Sequence, residues 1–117
     1  MGEQQERQAA DWIDRLVAQT DQPVKVQLSP EQGVAFPVEV FGEHGPGFVG
    51  QGTLGLSLHL EDALMCWLRW WQRHVSPGGD EVVDGDDVEW RRWSHEGERL
   101  RQALQQELGR EFLVLSL

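Results

Sequence analysis

Four histidines, one cysteine and a run of carboxylates are the residues whose types could do chemistry in this chain. His44, His59, His74 and His95 are scattered, with no H-x3-H pair among them, and Cys66 has no C-x2-C partner. Zinc sites draw their ligands in closely spaced pairs, so this spacing predicts no metal centre. Cys66 and His74 lie more than two helical turns apart and cannot pair on one helix. Ser57 and Ser94 have no nucleophile elbow around them. The stretch GEHGPGFVGQG, residues 42–52, is rich in glycine but lacks both the Walker lysine and the dinucleotide spacing. The expectation is a protein that is not an enzyme and holds no cofactor.

The carboxylates are denser. Asp80, Glu81, Asp84, Asp86, Asp87 and Glu89 put six acids within ten residues. An EF-hand register from Asp80 places Gly85 correctly at position six. It fails at position three, Val82, and at position twelve, where Arg91 replaces the bidentate acid. Asp86 and Glu89 fit the start of a helix, as an N-cap and its partner three residues on. Asp80, Glu81 and Asp84 stand farther out and are free to meet a cation-bearing partner.

Three tryptophans crowd into CWLRWWQRHV, residues 66–75, between arginines. At 100° per residue Leu60, Ala63, Leu64, Trp67, Leu68, Trp70, Trp71, His74 and Val75 share one arc, while Glu61, Arg69, Gln72 and Arg73 fall on the other side. Segregated in this way, the tryptophans read as a core face and not as a stacking platform interleaved with cations. Trp67 and Trp71 are expected to be buried. Trp70, at the margin of the arc, is a candidate anchor for a partner.

The elements that hold these residues follow from periodicity. Residues 4–19 read as an amphipathic helix carrying Trp12, Ile13, Leu16 and Val17. VKVQL, residues 24–28, alternates as a half-buried strand. VAFPVEVF, residues 34–41, alternates too, and Pro37 within it predicts an edge or bulged strand. The glycine stretch reads as a loop, and TLGLSL, residues 53–58, as a third strand. Helices follow over 60–75 and 88–108, the latter with Gly97 inside its apolar stripe and Gly109 as C-cap. EFLVLSL, residues 111–117, is apolar on both faces and predicts an interior strand. The order α-β-β-β-α-α-β makes one α+β domain over residues 1–117, with a mostly antiparallel sheet packed by Trp-rich helices.

The chain has 117 residues and a formal net charge of −10. That field repels phosphate backbones and disfavours nucleic acid. There is no signal-like or membrane-spanning run, and the lone cysteine suits a reducing compartment. The expectation is a cytoplasmic protein without membrane contact.

The segment LEDALMCWLRWW, with the later WSHEGERLRQALQQELG and its apolar strand, resembles small acidic α+β proteins of high-GC actinobacteria, some of them immunity-like. The resemblance spans residues 54–117 and implies a protein that neutralises a partner toxin. Composition points the same way: a compact acidic domain would dock on a basic protein partner through Asp80, Glu81, Asp84 and Glu43, with Trp70 as apolar anchor. The alternative is a small-molecule or enzymatic module with a pocket under the loop 42–52. Homodimerisation through exposed strand edges is the second interaction mode.

Overall fold

The computed structural model describes residues 12–19, 21–42, 45–76, 82 and 85–116. Helix α1 covers residues 12–19 of its segment. Strands β1 (Val24–Leu28), β2 (Val38–Gly42) and β3 (Gly45–Phe48) follow. Helices α2 (Leu58–His74) and α3 (Asp87–Leu108) come next, and β4 (Phe112–Val114) closes the order. The class is α+β, as the periodicities predict.

The four strands form one sheet in the order β3-β2-β1-β4. β1 pairs antiparallel with β2, β2 antiparallel with β3, and β1 parallel with β4. Alternation fixes the faces. Val24, Val26 and Leu28 of β1, Val38 and Val40 of β2 and Val114 of β4 are buried. They share one core with Ile13 of α1, Leu60, Leu64 and Trp67 of α2, and Leu100 and Leu104 of α3. The helices therefore cover one face of the sheet. The opposite face carries exposed Lys25 and Leu113 and half-buried Gln27, Glu39 and Phe41. At Gly42 the core face has no side chain because the Trp12 ring occupies the space: a Cβ there would meet Trp12 Cζ2 at 2.8 Å.

Three strand expectations need correction. TLGLSL is not a strand. Gly52 and Gly55 take positive φ values of 87° and 67°, and two tight turns close there through Thr53 N–H to Gly50 O and Gly55 N–H to Gly52 O. Leu56 still points inward, but Leu58 is 74% exposed at the start of α2. The third strand lies instead in the glycine stretch, where Gly47 pairs with Val40 and Phe48 with Glu39. Backbone pairing with β2 makes this strand, and side-chain alternation gives no sign of it.

Pro37 sits just before β2, and β2 is interior, not an edge. The proline lacks only a donor, and its carbonyl accepts from Ser29 N–H. β4, conversely, is an edge and not an interior strand, and Leu113 on its outer face is 46% exposed. Its apolar character on both faces misled because the outer face, with Leu113, is left uncovered, while its free edge is met by a helix side chain instead of a strand. Gln105 of α3 donates through Nε2 to the Phe112 carbonyl and accepts at Oε1 from Val114 N–H. The side-chain amide thus supplies the bonds that a further strand would have made.

Both long helices start and stop on identifiable groups. Ser57 caps α2, its Oγ accepting from Leu60 N–H, and Glu107 of α3 accepts from both the backbone N–H and the hydroxyl of Ser57. At the other end Gln32 Nε2 donates to the carbonyls of Gln72 and Val75, while Gln72 Nε2 donates to those of Glu31 and Val34. The loop before β2 is thereby tied to the end of α2. Asp86 caps α3 by accepting from Glu89 N–H at 2.8 Å, and Gly109 ends it at φ 79°.

Glu61 departs from the pattern read in the sequence. It is not on a solvent face but 3% exposed, in the first turn of α2, and its carboxylate accepts from Gly52 N–H at 2.5 Å. The turn made by the two glycines folds over it, and a carboxylate near a helix N-terminus is electrostatically favoured.

Candidate functional site

Of the five candidate contact residues, Glu43, Asp80, Glu81 and Asp84 lie outside the described residues, as does His44. Trp70 is described, and it is part of a cluster of four indoles at the α2–α3 contact. Trp67 and Trp93 stack with ring centroids 4.4 Å apart and planes within 2°. Each indole N–H donates to the other residue's backbone carbonyl, both at 2.9 Å. The pair closes on itself and leaves no indole donor over. Trp70 meets Trp90 edge-on at 4.8 Å and stacks on His74 at 4.0 Å. The contacts Trp67–Trp93 and Trp70–Trp90 show that the helices run antiparallel.

Trp67 is 3% exposed, as expected for the centre of the arc. Trp71 is only half-buried, because the core lies toward Leu64, Trp67 and Leu68 and not squarely under residue 71. Trp70 is half-buried as well, a position the margin of the arc predicts. His74 Nδ1 lies 2.7 Å from the Trp70 carbonyl, which holds the ring flat against that indole. Gly85, just before α3, packs against the same group: a Cβ there would lie 3.0 Å from Trp90 Nε1 and 3.4 Å from His74 Cδ2. The connector between the helices thus returns to the tryptophan cluster, and Val75 bridges to Val82 across it.

An open cleft of about 680 Å³ lies along this contact. Its α2 wall is Ala63, Cys66, Trp67 and Trp70, and its α3 wall is Glu89, Arg92, Trp93 and Glu96. Two neighbouring clefts share its rim. One, beyond Cys66, is lined by Arg69, Gln72 and Arg73. The other, sharing Arg92 and Glu96, adds Val88, Arg91, His95 and Arg99, and a fourth cleft on α3 that shares no residue with the groove holds Asp87 with Arg91 and His95.

Charge is unevenly divided in space. Among the described residues, five of nine Lys and Arg line these four clefts, with three of thirteen Asp and Glu. That leaves four basic against ten acidic described residues elsewhere. Residues 1–79 and 80–117 each carry five basic and ten acidic residues, so the division does not show in the balance between the two parts of the sequence. The signal was present in the helical wheel, where Arg69 and Arg73 share a side of α2, but only the packing of α3 beside α2 gathers all five.

Among the described residues no three His, Cys, Asp or Glu side chains gather as a metal site. Cys66 is exposed, and His59 and His95 are exposed on different helices. No described helix is long and apolar enough to cross a membrane. No protein-family model matches the sequence, and no curated protein matches it.

Proposed function

We propose that the protein is a small protein-binding domain that docks on a basic partner and blocks it, in the manner of an immunity protein. The observation that carries this reading is the partition of charge. Outside the clefts over α2 and α3, the described acids outnumber the described bases ten to four. A field of that sign accelerates encounter with a cationic surface and makes the rate fall with salt. The connector carrying Asp80, Glu81 and Asp84 supplies the carboxylates for the contact, with Glu43, the next residue in sequence after β2. Trp70, stacked on His74 near the end of α2, supplies an apolar anchor.

The test is to recover the partner from the native host and compare binding kinetics. In the variant Asp80→Asn, Glu81→Gln, Asp84→Asn the fold should persist, since all three precede the α3 cap. Association should slow by about tenfold at low salt, with a flatter salt dependence. Wild-type kinetics on both sides of ~0.1 M ionic strength, where the Debye length is about 10 Å, would remove the connector from the contact.

A further inference from the structure

We infer that the open face of the sheet is a contact surface for a second copy of this chain, which packs against it face to face about a two-fold axis. This goes beyond the docking reading and does not rest on it, since none of the residues assigned to the basic partner takes part.

The helices cover one face of the sheet. Alternation sends Lys25 and Gln27 of β1, Glu39 and Phe41 of β2, Phe48 of β3 and Leu113 of β4 to the other. Phe48 and Leu113, on the two outer strands, are 39% and 46% exposed, and Phe41 between them is half-buried. Apolar surface therefore spans the sheet from side to side. The strand edges offer less. Gln105 covers that of β4, and Pro46 in β3 has no donor. The face, and not an edge, is the route to association.

The four central residues name the occupant. Gln27 stands directly opposite Glu39. Two residues along the same register, Lys25 comes level with Phe41. Lys25 and Glu39 are thus diagonal corners of a block about 5 Å by 7 Å, with Gln27 and Phe41 at the other corners. A two-fold axis laid close to the Gln27–Phe41 diagonal exchanges the charged corners. Lys25 of each copy then faces Glu39 of the partner subunit. Phe41 and Gln27, near the axis, each meet their own counterpart. Charge meets opposite charge, ring meets ring and amide meets amide, which is the self-complementarity that an isologous interface requires. The axis lies at roughly 35° to the strands, so the sheets cross at about 70°, near the orthogonal class of sheet packing.

Charge speaks against other occupants. Among the described residues the ion pairs Glu96–Arg99 and Glu98–Arg101 lie on α3, and neither Lys25 nor Glu39 joins them. A basic partner would meet Lys25 at the centre of the face. An acidic partner would meet a chain of net charge −10. A second copy answers both central charges. The face is about 20 Å across and about 15 Å long, or roughly 300 Å² a side. A permanent interface covers ~800 Å² per partner, so this association is weak and reversible.

The test is sedimentation of the full chain from about 10 μM to about 1 mM. A monomer–dimer equilibrium should appear within that range. It should tighten as ionic strength rises from ~0.02 to ~0.15 M, because salt screens the repulsion between two chains of charge −10 more than it screens pairs inside the contact. Docking on a basic partner would weaken over the same range. Lys25→Glu and Glu39→Lys should each weaken the dimer by about tenfold, and the double reversal Lys25→Glu, Glu39→Lys should restore it. Phe41→Asp should abolish it, with circular dichroism checking the fold. Should that variant unfold, the charge reversals decide.

A monomer at about 1 mM, a dimer indifferent to Phe41→Asp, or single reversals that the double does not rescue would overturn the proposal. So would loss of the recovered basic partner in folded Phe41→Asp, which would give the face to that partner. The Asp80→Asn, Glu81→Gln, Asp84→Asn variant should slow the basic partner and leave the dimer intact, so that the two readings fail separately.

Discussion

Each indole of the Trp67–Trp93 pair acts at once as a stacking surface and as a donor, so removing one ring ends the stacking and takes the donor away from the other residue's backbone carbonyl. Trp67→Ala should lower stability by about 3–5 kcal/mol, the range for deleting a large buried aromatic. Trp71→Ala, at a half-buried position, should fall within about 1–2 kcal/mol. Chemical denaturation of the two variants compares them, and equal losses would contradict the central place of the stacked pair. The sequence made Trp67 legible as core because its position at the centre of an apolar arc needs no knowledge of α3. Its reciprocal hydrogen bonds were not legible, because they depend on the level at which the second helix packs. Charge at the residue scale is simpler. The Arg101 guanidinium grips the Glu98 carboxylate through three contacts of 2.6 to 3.0 Å and holds its pKa below the ordinary carboxylate value. A pKa depressed in the folded state means that the pair favours folding above the unfolded-state value and loses that contribution as pH falls through the folded one. In Arg101→Ala, an NMR titration should find the Glu98 carboxyl moved upward to the ordinary range. An unmoved titration would show that Arg101 is not the cause.

At the level of elements, the edge of β4 shows how a short strand is kept from further pairing. Three bonds converge on the Gln105 amide: to the Gly109 and Phe112 carbonyls and from Val114 N–H. Gln105→Leu removes all three and leaves strand groups facing outward. Stability should fall by about 1–3 kcal/mol, and sedimentation at high concentration should show association through the exposed edge. A variant that associates no further than the parent chain, with an unchanged denaturation midpoint, would show that the edge needs no cover. The other edge is blunted differently, by Pro46 within β3, which has no N–H to offer. Edge protection was not readable beforehand, since glutamine on a helix and glycine in a loop carry no strand signature. The two helices and β1 were readable, because their apolar periodicities of 3.6 and 2 agree with the burial they end up in. TLGLSL failed because its alternation is real but Gly55 and the preceding Gly52 take positive φ, and alternation alone does not report φ.

For the whole molecule, the separation of charge governs behaviour toward partners. A chain of net charge −10 should attract cationic partners at long range, and salt should weaken that attraction. The sheet topology has a consequence of another kind, in the order of assembly. Val24 pairs with Phe112 and Val26 with Val114, positions about 90 residues apart in the chain. Closing so long a loop costs conformational entropy before any contact repays it, and such pairings form late. The unit of α3 and β4 is local by contrast, joined by a three-residue turn and already bonded through Gln105. It is ready-made before it reaches β1, so the rate-limiting event would be the docking of a finished hairpin-like unit onto a waiting strand. Substitutions inside that unit would then alter the folding rate, while substitutions at the β1–β4 seam would chiefly alter unfolding.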